Sequence, residues 1–120
     1  MKNLIISIFL LVIIPRESEM VTATVYNAVP EQTNSDPSHT ASMFKLDLKD
    51  PYKHRIIAVS RDLLTRFPMG TKVRIKGTPY DGIWIVQDKM NKRYSKRIDF
   101  LINLDMSIGK WNNVELIKLN

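Results

Sequence analysis

Residues 82–103, Gly82-Ile83-Trp84-Ile85-Val86-Gln87-Asp88-Lys89-Met90-Asn91-Lys92-Arg93-Tyr94-Ser95-Lys96-Arg97-Ile98-Asp99-Phe100-Leu101-Ile102-Asn103, read as strand, basic loop, strand. In the second strand a period of two puts Ile98, Phe100, Ile102 and Leu104 on one face. Arg97, Asp99, Leu101 and Asn103 take the other, so Asp99 points away from the main apolar face, where a ligand can reach it. In the first strand Asp88 shares a face with Trp84 and Val86, which predicts a partly sheltered carboxylate. The simplest arrangement is a hairpin with two carboxylates at its mouth and five Lys/Arg between them.

Working outward, residues 77–82 are a turn and residues 71–76 a strand, with Val73 and Ile75 inward and Lys72, Arg74 and Lys76 outward. Residues 55–59 form a buried strand. Ser60 then suits the cap of a short helix over residues 61–67, with Asp62 in its first turn, ended by Pro68-Met69-Gly70. Residues 44–54 are a loop, with room for one helical turn near Asp50-Pro51. Residues 27–38 are a loop, and residues 39–42 a short strand leading out of it. In residues 21–26 Val21, Ala23 and Val25 face a core, while Thr22, Thr24 and Tyr26 face out. On the other side, residues 105–111 connect to a last strand over residues 112–119. No internal repeat and no low-complexity tract is visible. About six short, β-branched strands with one or two short helices predict an all-β fold, a small closed barrel or sandwich.

The chain has 120 residues, a net charge of +6 and a pI near 9.7, so a polyanionic neighbour fits. Without cysteine it has neither a disulfide framework nor a cysteine zinc site. Lys2 and the apolar run of residues 4–14 have the form of a signal-peptide core, too short for a standard membrane span. No small-x-small cleavage signal follows, so an uncleaved N-terminal anchor is the alternative. The expected division is therefore residues 1–20 as signal or anchor and residues 21–120 as one domain, exported to periplasm, envelope or exterior.

Three groups of motifs, in order, carry a family resemblance. The first is Val21-Thr22-Ala23-Thr24-Val25-Tyr26 with Gln32-Thr33-Asn34-Ser35-Asp36-Pro37 and His39-Thr40-Ala41-Ser42. The second is Ile57-Ala58-Val59-Ser60 with Phe67-Pro68-Met69-Gly70-Thr71-Lys72-Val73-Arg74-Ile75. The third is Val86-Gln87-Asp88 with Arg97-Ile98-Asp99, the aspartates eleven residues apart. Together they resemble the three-aspartate (3D) domain. The resemblance implies a six-stranded double-psi β-barrel, shared with lytic transglycosylases of the membrane-bound A type and with RlpA and expansin-like proteins. It also implies peptidoglycan as partner, and cleavage between N-acetylmuramic acid and N-acetylglucosamine to a 1,6-anhydro sugar. Carried over, the catalytic aspartate is Asp99, with Asp88 in the same groove. This chain departs from the pattern in three places. Ser60 stands where the family has an aspartate, Met43 where it has a glycine, and the loop of residues 89–97 lacks the family's glycines.

In that chemistry the substrate's own 6-hydroxyl is the nucleophile. One carboxyl group can protonate the leaving oxygen and then accept the hydroxyl proton, provided that its pKa is raised. Asp88 would orient Asp99 or supply a neighbouring charge. Thr40 and Ser42 are candidate groove hydroxyls for sugar or for Asp99. Tyr26, Tyr94 and Trp84 are candidate stacking rings, with core packing preferred for Trp84, and Lys89 is a candidate rim cation. The alternative for the pair is plain ion pairing of Asp88 and Asp99 with Arg97, Arg93 or Lys89. His39 and His54 are too isolated to suggest a metal, and no cofactor is expected. One aromatic in the basic loop argues against nucleic acid as a partner. The chain is expected to act as a monomer. The competing functions are a non-catalytic glycan-binding barrel of expansin or RlpA-like kind and a structural or phage-associated wall protein.

Overall fold

The computed structural model describes residues 17–33 and 36–120. The apolar run of residues 4–14, read above as signal or anchor, lies outside the described residues, as do Asn34 and Ser35. Six strands form a closed mixed barrel: β1 (Ser18–Tyr26), β2 (Ile56–Val59), β3 (Lys72–Lys76), β4 (Gly82–Lys89), β5 (Arg97–Leu101) and β6 (Trp111–Lys118). Around the barrel the order is β1-β5-β2-β4-β3-β6. The all-β expectation holds, and the strand count is the expected six.

The hairpin expectation fails. β4 and β5 do not pair; β2 lies between them, parallel to β4 and antiparallel to β5. The reason is burial. All four residues of β2 are buried, so this apolar strand needs a covered place with a partner on each side. The pairing also has a symmetry that the sequence does not show. Exchanging β1 with β4, β2 with β5 and β3 with β6 leaves the pattern unchanged. The parallel pair β1/β5 exchanges with β4/β2, and the antiparallel pair β3/β4 with β6/β1. The pairs β2/β5 and β3/β6 each map onto themselves.

Alternation fills the interior. Val21, Ala23, Ile57, Val59, Val73, Ile75, Val86, Ile98 and Phe100 all join one buried cluster with Trp84. Trp84 lies 4.8 Å from the Phe100 ring, and its indole N–H donates to the Tyr80 carbonyl at 2.8 Å. The Arg55 guanidinium covers it from outside at 3.9 Å. Burying each such aliphatic or aromatic side chain contributes about 1.5–3 kcal/mol. Trp84 is thus a core residue, as preferred, and Trp111 packs half-buried against the same cluster.

Other boundaries move. β1 starts at Ser18, ahead of the expected Val21. Ser18, Glu19 and Met20 pair with β6, and Arg66 holds Glu17 and Glu19. Residues 61–67 do not form an α-helix. Arg61–Leu63 is a 3-10 turn, and Ser60 makes no side-chain cap bond to it. Seven residues closed off by Pro68 are too few to offset helix nucleation, so Leu63 and Phe67 are anchored by burial instead. Residues 39–42 contribute one isolated bridge, His39 to Lys45, rather than a strand. Pro51–His54 is a 3-10 turn, in keeping with the single turn expected there. Leu104 is exposed instead of continuing the core face, because β5 ends at Leu101.

Candidate functional site

The two aspartates meet across β2. Ala58 stands in register with Asp99 on β5 and with Asp88 on β4, and Asp99 in turn with Thr24 on β1. The row Thr24–Asp99–Ala58–Asp88 therefore crosses four strands on the outer face of the barrel. Asp99 is where alternation put it. Asp88 is not: between Ile57 and Ala58 the β2/β4 register skips one residue, Gln87. That bulge turns Asp88 off the interior face of Trp84 and Val86 and onto the outer one. The small side chain of Ala58 stands between the two carboxylates.

A second buried cluster covers this outer face: Tyr26, Leu46, Ile56, Ala58, Met90 and Leu101, with Tyr94 packed half-buried against it. Much of the cover is the connection of residues 27–55. Its segment 38–46 folds back on itself, with Leu46 N–H donating to Ser38 O and Thr40 N–H to Phe44 O. Met43 makes the turn at φ 66°, a left-handed conformation that glycine adopts more easily. The tip docks on Asp88 and its neighbour. Ala41 N–H donates to Asp88 Oδ1 at 2.9 Å, and Ser42 N–H and Oγ–H reach Gln87 O and Oε1.

The environments of the two carboxylates differ sharply. Asp88 accepts from Ala41 N–H, from Lys89 N–H at 3.0 Å and from Tyr26 Oη–H at 2.9 Å. Burial, with the Asp88 charge beside it, holds the Tyr26 phenol well above its ordinary pKa, so it stays a donor. Asp99 accepts one bond among the described residues, from Thr24 Oγ1–H at 2.5 Å. Among the described residues its other oxygen has no protein donor, and it keeps some contact with solvent. Burial pushes the Asp99 carboxyl up to about 6, against the Thr24 bond and the Arg97 charge, which pull it down; the Asp88 charge adds to the rise. Arg97 Nε–H donates to Thr24 Oγ1 at 3.3 Å, which completes a short chain Arg97–Thr24–Asp99.

The other expected residues fall into two groups. Tyr26 is buried, so it supports Asp88 rather than offering a stacking face. Thr40 is buried, bonded to Ser42 Oγ at 3.0 Å and accepting from Phe44 N–H; neither Thr40 nor Ser42 bonds Asp99. Lys89 and Tyr94 do sit at the rim: Lys89 is exposed, and the Arg93 and Arg97 guanidiniums lie against the Tyr94 ring. Ion pairing with the basic loop does not account for the aspartates, because among the described residues no salt bridge joins Asp88 or Asp99 to a cation.

Sequence reasoning missed Thr24, although its outward place in β1 was the available signal. It also missed the structural part that Ser60 and Asp62 play. Buried Ser60 accepts from Arg97 N–H at 3.0 Å, and Asp62 accepts from Lys96 N–H at 3.0 Å. Together they fix the start of β5, where Lys96 has φ 48°.

Asp36, Ser38 and His39 also cluster, but Ser38 and Asp36 both meet the same imidazole nitrogen, Nδ1, so they do not form a relay of nucleophile, base and acid. Among the described residues no group of His, Cys, Asp or Glu is placed to hold a metal, and no helix is long and apolar enough to cross a membrane. Two surface clefts lie off the aspartate row, one beside Asn27, Leu48 and Asn103, the other beside Thr22, Lys96 and Asn113. No protein-family model matches the chain, and no curated protein matches it.

Proposed function

We propose that the chain is an exported peptidoglycan lytic transglycosylase of the three-aspartate type, with Asp99 as its single acid/base. The observation that carries this is the isolated Asp99 carboxyl, raised to about 6 with one oxygen unpartnered. At neutral pH such a group is present in both protonation states. Protonated, it can donate to the glycosidic oxygen as the bond to the anomeric carbon breaks. The resulting carboxylate then accepts the proton of the 6-hydroxyl as that oxygen closes the 1,6-anhydro ring. No water and no enzyme nucleophile enter the balance. Positioned acid–base catalysis of this kind supplies about 10²–10⁴-fold. Asp88, which accepts from three donors, lies two strands away and adds negative charge that favours the positive charge developing on the sugar.

The occupied state of Asp88 also favours a second reading. A carboxylate saturated by its own loop, beside a buried Tyr26, suits a rigid glycan-binding barrel without catalysis. Digestion of purified sacculi separates the two. The first reading expects soluble anhydromuropeptides by mass spectrometry. Retention of the protein on insoluble peptidoglycan with no soluble product would overturn it in favour of the second.

A further inference from the structure

The loop between β4 and β5 carries Lys89, Lys92, Arg93, Lys96 and Arg97. Among the described residues only Lys96 of these reaches an acid, Glu19 at 3.6 Å. Two of the others are drawn together instead. The Arg93 guanidinium lies 4.8 Å from the Tyr94 ring centre and that of Arg97 lies 4.6 Å from it. Arg93 Nη2–H also donates to Tyr94 Oη at 2.7 Å, and Arg97 Nε–H donates to Thr24 Oγ1. Each fork keeps most of its five donors unassigned.

The loop is also built to hold still. Met90 N–H donates to Val59 O, and Arg61 Nε–H donates to Met90 O at 3.2 Å. Arg93 N–H donates to Asn91 Oδ1, and the far end is fixed by Asp62 and Ser60. Two guanidiniums on one ring repel each other unless an anion joins them, and a planar fork matches an oxyanion in two-bond geometry.

We infer that Arg93 and Arg97, spaced by Tyr94, form a clamp for an oxyanion carried on a cell-wall polymer, seated beside Asp99. Arg97 and Asp99 share one face of β5, so an anion in the clamp places the adjoining sugar linkage next to the Asp99 carboxyl. The anion is a carboxylate of a peptide stem or a phosphate of an anionic wall polymer. The link to Asp99 rests on the proposed glycan cleavage; anion capture by the clamp does not.

Binding is measured by calorimetry with three probes: a disaccharide-tetrapeptide, poly(glycerol phosphate) and a neutral chitooligosaccharide. One or both anionic probes bind more tightly than the neutral one, and which of them does so names the source. Arg93→Gln and Arg97→Gln each weaken that binding about tenfold and leave the neutral probe unchanged. Arg93→Lys, which keeps the charge and loses the fork, also weakens it, whereas Lys92→Gln does not. Asp99→Asn keeps anion binding, so loss of cleavage and loss of the clamp are read separately. Equal binding of all three probes would overturn the clamp. So would Arg93→Lys matching the unchanged protein, or Lys92→Gln matching Arg93→Gln, since either result would mean diffuse charge.

Discussion

The two halves of the barrel, β1–β3 and β4–β6, pair their strands in the same way but furnish equivalent positions differently. Ala58 and Asp99 face each other at the centre of the β2/β5 pair, and Asp88 and Thr24 take matching places on their outer neighbours. The first half thus supplies Thr24 and Ala58 to the row, and the second supplies both aspartates, so Ala58 is flanked by Asp88 and Asp99 by Thr24, each from the opposite half. The connections set them further apart. Between β1 and β2 run residues 27–55, of which the segment 38–46 folds over Asp88 and occupies it. Between β4 and β5 run only residues 90–96, which leave Asp99 with one donor and a cationic rim. With the pattern of strand pairing alike, the donors each carboxylate receives decide which one is available to move a proton. Asp88 organises structure, and Asp99 is poised for chemistry.

The largest effect expected from breaking this asymmetry is on activity. Asp99→Asn lowers release of anhydro product about 10²–10⁴-fold, equivalent to roughly 3–5 kcal/mol of barrier, while the variant still melts cooperatively and at no lower temperature. On the other side, Asp88→Ala leaves the buried Tyr26 hydroxyl without its acceptor and frees the 38–46 turn. Urea denaturation should show a loss of about 2–4 kcal/mol, of which Tyr26→Phe reproduces about 1–2.

A smaller effect has the opposite sign. Because the folded carboxyl of Asp99 titrates near 6, above its ordinary value of 3.8, the folded protein binds the proton more tightly than the unfolded chain. The contribution of Asp99 to stability is therefore most favourable below about pH 4 and is lost as pH rises through 6. Asp99→Asn removes that loss. The variant is more stable than the unchanged protein at pH 8, by about 2 kcal/mol, and shows little gain at pH 4, as read from paired urea curves. The smallest effect tests the loop that covers Asp88. Met43→Gly relieves the left-handed turn and stabilises by about 0.5–1 kcal/mol, within reach of a thermal melt.

Much of the barrel was legible from alternation. The inward sets of β1, β3 and β5, the buried β2 and the outward Asp99 all follow from period-two patterning, because side-chain direction is local. What was not legible depends on partners distant in sequence. A hairpin between β4 and β5 was the local reading of residues 82–103, yet strand β2, from far upstream, takes the place between them. The face of Asp88 depends on a bulge, and nothing in Val86-Gln87-Asp88 marks where the ladder skips. Tyr26 points outward as expected, but a loop buries it, so direction from the sheet was not the same as exposure. The equivalence of the two halves lies in backbone pairing, while the side chains at equivalent places differ, so no repeat shows in the letters. The 89–97 loop has no glycine, and its one positive φ falls on Lys96, held by Asp62.

The most direct test is an NMR titration of the Asp99 side-chain carboxyl carbon in the folded protein, assigned by its loss in Asp99→Asn. The difference between the surroundings of the two carboxylates predicts a midpoint near 6. A midpoint at the ordinary aspartate value near 3.8 would contradict it, because Asp99 would then be an ordinary surface anion with no proton to give at neutral pH.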